Sequence, residues 1–182
     1  MSGNDHPNAL RLAESVRKHC GEEAANALTE RHSLSKSASA ARKFQWAQDI
    51  CDDLQAHFDA ETVRQIRMDC ACGPGLSKCK KLKAIFDRCD CPEEFARKVT
   101  ELNQGYAVEY DGRAFHLVYP ECYCPCVSRV EGNLPEAWCD CTLGYTKRMF
   151  DFILSCDTRV ELVHSVKTGG AECRIRILAP EG

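Results

Sequence analysis

The chain has 182 residues and a formal net charge of −3 at pH 7, and 14 of its residues are cysteine. A mildly acidic chain lacks the concentrated basic surface that non-specific nucleic-acid binding needs, and no apolar run approaches the roughly 20 residues that span a bilayer. We therefore expect no nucleic-acid partner and no membrane segment. Because the first residues lack the apolar stretch of a signal peptide, we expect a cytoplasmic, reducing location. The length fits a single domain over residues 1–182.

Residues 1–104 show the apolar periodicity of amphipathic helices. The first predicted helix covers residues 8–31 without a break and has Cys20 on its apolar stripe. The second begins near residue 40 and has Cys51 on its stripe. Both thiols are therefore expected to be small core residues.

Three more helices are predicted in this half from their capping residues. Asp59 is a typical N-cap, and Pro92 is a typical first residue of a helix. The turn at Gly73-Pro74-Gly75 separates two of these helices because this sequence does not continue a helix. The three helices are expected at residues 60–68, 76–87 and 92–103.

From Tyr106 onward the apolar period changes to two, which is typical of strands. Asp111-Gly112 and Gly169-Gly170 each separate two such stretches, and both dipeptides suit tight hairpin turns. Residues 105–178 are thus predicted as a hairpin, a cysteine-bearing loop, a helix and a second hairpin. We expect an α+β fold in which a helical N-terminal half packs on a four-stranded antiparallel sheet, with one helix inserted between the two hairpins.

A two-residue turn at Gly169-Gly170 would fix the register of the last hairpin. It would place Val166 opposite Cys173 and His164 opposite Ile175, so that His164 and Cys173 share the apolar, core-facing side. This pattern is compatible with a core histidine beside a buried thiol and also with a functional Cys–His pair.

The most distinctive feature of the sequence is the C-x-C step, which contains nine of the 14 cysteines. In an extended segment, residues i and i+2 project from the same face, so each step can direct two sulfurs at one acceptor. Soft metal ions and redox partners are the usual acceptors of thiolates. The predicted metal ligands are Cys70, Cys72, Cys89, Cys91, Cys122, Cys124, Cys126, Cys139 and Cys141.

These ligands form two groups along the sequence, one over residues 70–91 and one over residues 122–141. Each group, with Cys79 in the first, has more than the four thiolates that a zinc site or an iron–sulfur cluster requires, so both cofactors are candidates. The chain has no C-x-x-C spacing, which is the usual pattern of zinc ribbons and bacterial ferredoxins. In the second group, Trp138 and Tyr145 lie close in sequence to the thiols, where they can shield a site from water or serve as ordinary packing.

The order of elements in the second half, and the closing sequence Ser165-Val-Lys-Thr-Gly-Gly-Ala-Glu-Cys173-Arg-Ile-Arg-Ile, resemble known families. They are similar to the 4-vinyl reductase and L-2-amino-thiazoline-4-carboxylic acid hydrolase-like families over roughly residues 105–178. The resemblance implies a small-molecule pocket between the helices and the sheet. It also implies that His164 and Cys173 line this pocket, with Cys139 and Cys141 at its rim.

Together these features favour a cysteine-rich ligand-binding or sensing protein with a thiolate metal or iron–sulfur site beside a small-molecule pocket. The predicted pocket residues are His164, Cys173, Trp138 and Tyr145. Two alternatives are left open by the residues: a hydrolase acting on a cysteine-related heterocycle, and a redox switch with reversible disulfides.

Overall fold

Among the residues that the structure describes, helices dominate the first half of the chain and the four strands lie in the second. The structure, a computed structural model, describes residues 5–71 and 73–180. The described part contains seven α-helices, four β-strands and two short 3₁₀ helices. The helices are α1 Pro7–Cys20, α2 Glu22–Arg31, α3 Ala40–His57, α4 Ala60–Asp69, α5 Leu76–Phe86, α6 Pro92–Leu102 and α7 Asp140–Leu154, and the strands are β1 Ala107–Tyr110, β2 Phe115–Tyr119, β3 Arg159–His164 and β4 Cys173–Leu178.

The predicted fold class is confirmed. The four strands form one antiparallel sheet in the order β1-β2-β4-β3, and α7 lies between the two strand pairs in sequence. The residues divide into two compact units, one of residues 1–71 and 123–141 and one of residues 72–122 and 142–182. The expectation of a single domain stays a prediction.

The first unit is built from α1 to α4 and the segment that ends in the 3₁₀ helix Glu136–Cys139. Its core contains Trp46 and Trp138, whose rings meet edge to face with centroids 5.9 Å apart. The buried Ser15 hydroxyl donates to the Ile66 carbonyl oxygen at 2.7 Å and so joins α1 to α4. Asp59 caps α4 as predicted, because its carboxylate accepts from the Thr62 backbone N–H.

The prediction of one unbroken helix over residues 8–31 is wrong. Gly21 has a φ of +92° and separates α1 from α2. A glycine adopts this backbone conformation without the steric penalty that a side chain brings, so it ends one helix where the next begins. Cys20, the last residue of α1, is half-buried and not a core residue, whereas Cys51 is fully buried as predicted.

The second unit contains α5, α6, the sheet and most of α7. Its core has a chain of aromatic contacts in which Phe95 meets Phe86 and Phe115, and Phe115 meets Phe150, with ring centroids 5.2 to 5.7 Å apart. The Thr100 hydroxyl on α6 accepts from the Val108 N–H and donates to the Val108 carbonyl. This pair of bonds ties α6 to β1.

The first hairpin is present, but its turn is longer than two residues. The last pair of the β1–β2 ladder is Tyr110 with Phe115, which leaves four residues in the connection. The Asp111 carboxylate accepts from the N–H groups of Arg113 and Ala114 at 2.9 and 2.7 Å. These side-chain bonds favour the longer turn over the predicted tight one.

The prediction for the last hairpin is wrong, because eight residues connect β3 to β4. Ser165 and Thr168 form a reciprocal capping box that starts a 3₁₀ helix, Val166–Thr168, where the prediction continued the strand. The connection then returns close to itself: a Cβ on Gly170 would lie 2.9 Å from the Ser165 carbonyl oxygen. Gly169-Gly170 therefore belongs to a longer loop.

This loop changes the register of the two strands. His164 pairs with Arg174 after an irregularity between Leu162 and His164, whereas the prediction paired it with Ile175. Residues 174 and 175 face opposite sides of the sheet, so His164 lies on the side opposite the one shared by Cys173 and Ile175. The predicted shared face of His164 and Cys173 is therefore wrong.

Candidate functional site

The cysteines are distributed over both units. Thirteen of them lie among the described residues, and none of the thirteen is in a disulfide; Cys72 lies outside the described residues. The grouping along the sequence is not kept. Cys70 belongs to the same unit as the later thiols from Cys124 to Cys141, whereas Cys89, Cys91 and Cys122 belong to the other. The first unit contains Cys20, Cys51, Cys70, Cys124, Cys126, Cys139 and Cys141.

A buried arginine interacts with several thiols of the first unit. Arg67, on α4, is only 3% exposed. Its guanidinium donates to the carbonyl oxygens of Ala137 and Trp138 at 3.3 and 3.0 Å and lies 4.3 Å from the centre of the Trp138 ring. Among residues 5–71 and 73–180 it forms no ion pair with a carboxylate. Its positive charge is thus held by two backbone oxygens and an aromatic face.

Four thiols lie within electrostatic range of this guanidinium. Burial lowers the pKa of Arg67, but the thiol groups raise it by more than burial lowers it. The pKa of Arg67 therefore lies above its ordinary value. They do so because any negative charge on sulfur favours the protonated guanidinium. In order of decreasing effect they are Cys70, Cys141, Cys51 and Cys124.

Burial keeps several of these thiols protonated. It raises the pKa of Cys51 to about 11, with Arg67 opposing the shift. It also raises the pKa of Cys70 and of Cys126, again against the effect of Arg67. Because the thiolate is the form that attacks electrophiles and binds metals, these groups are weak nucleophiles until something displaces their protons.

Asp140 is an acidic residue near Arg67 and stands between Cys139 and Cys141 in the sequence. Burial raises the pKa of its carboxyl to about 6, and nearby Arg64 and Arg67 oppose this shift. The group therefore titrates near neutrality. Near Arg67, the Asp140 carboxyl is therefore negatively charged above about pH 6 and neutral below it.

The C-x-C steps do not all direct two sulfurs to one point. Cys139 ends the 3₁₀ helix and Cys141 is the second residue of α7, so the two are in helical backbone, where residues i and i+2 diverge. At the start of α6, the Cys89 thiol donates to the Ile85 carbonyl at 3.1 Å, whereas Cys91 is exposed. Cys124 begins a turn in which its carbonyl oxygen accepts from Val127 and Ser128.

No ready-made metal site is present in the part of the chain that the structure describes. There, no three side chains of Cys, His, Asp or Glu approach closely enough to hold a metal ion. No helix of the described residues is long and apolar enough to cross a membrane.

The four predicted pocket residues have different surroundings. Trp138 is buried and stacks with Arg67, while Tyr145, on α7, accepts from the Lys78 ammonium at 3.3 Å. The His164 side chain is 39% exposed and lies 3.4 Å from Glu172. The Cys173 sulfur accepts from the Val166 backbone N–H at 3.4 Å. That these residues line a pocket stays a prediction.

The sequence reasoning missed Arg67 and Asp140. Arg67 could have been noticed, because it stands among the buried residues Val63 and Ile66 on the inner side of α4 and only three positions before Cys70. An arginine on the apolar side of a short amphipathic helix needs a partner inside the fold. The partners that it has, Ala137 and Trp138, are about 70 positions away in sequence and have no local signal.

Comparison with known proteins gives a family and a set of similar structures. The model of DUF6144, a family of unknown function, matches residues 8–181. No curated protein gives a significant match. The resemblance to the 4-vinyl reductase and hydrolase-like families is wrong, because the matching family is DUF6144 and the similar solved structures are H-NOX proteins.

Two of these structures come from Shewanella oneidensis. The NMR structure of a mutant H-NOX domain in the Fe(II)CO ligation state is 14% identical, covers 98% of this chain and 99% of its own, and has a TM-score of 0.46. The crystal structure of a mutant H-NOX protein in the Fe(II) ligation state is 16% identical, covers 96% of both chains and has a TM-score of 0.45. At these scores the likeness carries no argument about function.

Proposed function

Because the chain belongs to DUF6144, a family of unknown function, we propose its function from its own chemistry: it is a ligand-binding or sensing protein. Its sensing centre is the group of thiols around Arg67, and its ligand is a soft divalent metal ion, zinc first. We assign the binding thiols to Cys70, Cys124, Cys126 and Cys141. The other predicted ligands stay predictions from the sequence pattern: Cys72, Cys89, Cys91, Cys122 and Cys139.

The observation that carries this proposal is the buried guanidinium of Arg67, which has thiols near it and no carboxylate in ion-pair contact among the described residues. A buried cation is expensive unless negative charge lies nearby. Four thiolates around a divalent ion have a net charge of about −2, and Arg67 would offset half of this charge. A thiolate–metal centre thus supplies negative charge beside a guanidinium that has no carboxylate in ion-pair contact among the described residues.

Protonated thiols fit this assignment because metal binding displaces their protons. The raised pKa values of Cys70 and Cys126 slow reactions that need a free thiolate, such as disulfide exchange, but a soft cation overcomes them by binding the sulfur directly. This difference favours metal binding over the redox-switch alternative at this cluster. The hydrolase alternative, the small-molecule pocket and the cytoplasmic location stay predictions.

The thiols would have to move to bind an ion, because the described residues hold no preformed metal site. Cys124 and Cys126 lie in the loop that joins β2 to the 3₁₀ helix, so this loop is the segment that closes on the metal. A change of shape that accompanies binding is what a sensor requires.

Zinc titration of the reduced, metal-free protein tests the proposal, with a chromophoric chelator as competitor and a pH indicator to detect released protons. We expect one zinc ion per chain, bound with proton release, in the wild type. The paired variant Cys124→Ser with Cys141→Ser should lose this binding. Cys156→Ser is the matched control, because its thiol lies in the other unit and is not among the predicted ligands.

Anaerobic purification with elemental analysis and a visible spectrum separates the metals. Zinc without colour supports the zinc assignment, whereas iron with sulfide absorption assigns a cluster to the thiols. Reduced protein that binds neither metal, or equal zinc binding in the paired variant and the control, would overturn the proposal. Arg67→Met adds a second readout, since loss of the central cation should weaken zinc binding while the four thiols are kept.

A further inference from the structure

A lysine in the second unit is enclosed by tyrosines. The Lys78 Nζ atom, on α5, lies 4.6 Å from the centre of the Tyr106 ring and 5.7 Å from the centre of the Tyr145 ring. The Tyr106 ring in turn lies 5.8 Å from the ring of Tyr119, the last residue of β2. Four side chains from α5, α7 and the sheet region therefore form one cluster, which we call the lysine–tyrosine cluster.

Hydrogen-bond donors outnumber acceptors in this cluster. The Lys78 ammonium has three N–H groups and gives one to the Tyr145 hydroxyl oxygen at 3.3 Å; among the described residues it has no carboxylate partner. Since the Tyr145 oxygen accepts, its own O–H is left to donate. The Tyr106 hydroxyl is buried, and the Lys78 ammonium and the Asn103 side chain are its nearest polar neighbours, although neither bonds it with good geometry. The ammonium, the amide of Asn103 and the phenol O–H groups give this cluster more donors than acceptors, so an acceptor from outside the chain would complete it.

The charge state of the cluster points to an anionic acceptor. Burial raises the pKa of Tyr106 and of Tyr119, so both hydroxyls stay protonated at neutral pH. Lys78 supplies a positive charge, and the aromatic rings supply apolar surface around it. An oxyanion can accept from the ammonium and the phenols together, and charge-assisted bonds of this kind are the strong ones.

The position in the fold adds a thiol to the same region. Tyr119 is the cross-strand partner of Cys173, the first residue of β4. The Cys173 sulfur is held by the N–H of Val166 at 3.4 Å. The end of the sheet where β2 finishes and β4 begins therefore presents a phenol and a thiol side by side.

We propose that the lysine–tyrosine cluster binds the carboxylate of a small organic acid. Lys78, Tyr106 and Tyr145 contact the carboxylate, and the rings of Tyr106 and Tyr119 contact the apolar body of the acid. The apolar rings favour an organic acid over inorganic phosphate, because phosphate has no apolar part to bury. This site goes beyond the proposed metal function and uses none of its residues.

Calorimetric titration with benzoate tests the proposal, with benzamide as the neutral isostere and inorganic phosphate as the competing oxyanion. We expect saturable benzoate binding to the wild type and none of comparable strength for benzamide. Lys78→Met should weaken benzoate binding by about tenfold or more, as expected for the loss of one charge-assisted hydrogen bond. Tyr106→Phe keeps the ring, removes only the buried hydroxyl and should weaken binding several-fold.

Lys80→Met is the matched control, because Lys80 is an exposed lysine on the same helix and outside the cluster. It should bind benzoate like the wild type. Equal affinity in Lys78→Met and the wild type, no saturable benzoate binding in the wild type, or tighter binding of phosphate than of benzoate would each overturn the proposal. Benzoate and zinc are titrated in separate experiments, and their proposed sites share no residue. A negative result with one ligand therefore does not affect the interpretation of the other.

Discussion

Replacement of Asp140 by asparagine should stabilise the metal-free protein at neutral pH. The pKa of this carboxyl is raised to about 6 in the folded protein, mainly by burial, whereas a free aspartate in an unfolded chain titrates near pH 3.9. Two pKa units correspond to about 3 kcal/mol. Asp140 is only half-buried, so solvent screening reduces the expected effect to roughly 1–2 kcal/mol.

The sign of the pH dependence follows from which state holds the proton. Between about pH 4 and pH 6 the folded protein keeps a proton on Asp140 that the unfolded chain has released. Below pH 4 the carboxyl is protonated in both states and does not destabilise the fold. As the pH rises from 4 to 6 the free energy of unfolding decreases, and above pH 6 the destabilisation by the buried charge is complete. The amide of an asparagine does not titrate, so the variant lacks this pH dependence.

Urea denaturation at several pH values from 4 to 8, with a chelator present, measures the effect. The wild type and Asp140→Asn should have similar free energies of unfolding near pH 4 and should differ by about 1–2 kcal/mol at pH 7. Glu131→Gln is the control, because Glu131 is an exposed carboxylate nine positions earlier that does not contribute to the shift of Asp140, and it should change stability by less than about 0.5 kcal/mol. A variant less stable than the wild type at pH 7, or a difference that does not depend on pH, would refute the reasoning.

Two further predictions concern the loops and contacts that hold the sheet. Gly170→Ala should destabilise the fold by roughly 1–3 kcal/mol in urea denaturation, because the new Cβ would lie 2.9 Å from the Ser165 carbonyl oxygen. Gly73→Ala is the control and should be nearly neutral in the same assay, because a Cβ at Gly73 has no atom within 4 Å. Thr100→Val should cost roughly 1–3 kcal/mol, because both backbone groups of Val108 lose their partner; faster hydrogen exchange at the Val108 amide checks this, and an unchanged exchange rate would contradict it.

Local signals in the sequence predicted the elements well where a single residue controls the backbone. Asp59 and Pro92 begin helices as expected, and the change to a period of two located β1 and β2. The break at Gly21 was missed because the apolar spacing continues across it. Periodicity reports which residues are apolar and does not report a reversal of φ at one glycine.

The arrangement around the thiols was less predictable, because it depends on contacts between residues far apart in sequence. The C-x-C steps identified the thiols, but their relation to Arg67 required the structure. The last hairpin failed for a different reason. Ser165 and Thr168 cap each other in a short helical turn, and this local bond outweighs the turn preference of the two glycines that follow.

The two edge strands of the sheet, β1 and β3, are each prevented from pairing with an additional strand, but by different features. On β1, the hydroxyl of Thr100 already occupies the N–H and the carbonyl of Val108 that an added strand would need. On β3, the irregularity between Leu162 and His164 interrupts the row of backbone groups and leaves Val163 half exposed. Edges blocked in these ways resist pairing with the sheet of another molecule. Self-association of this protein by extension of its sheet is therefore disfavoured, and any assembly that it forms would have to use side-chain surfaces.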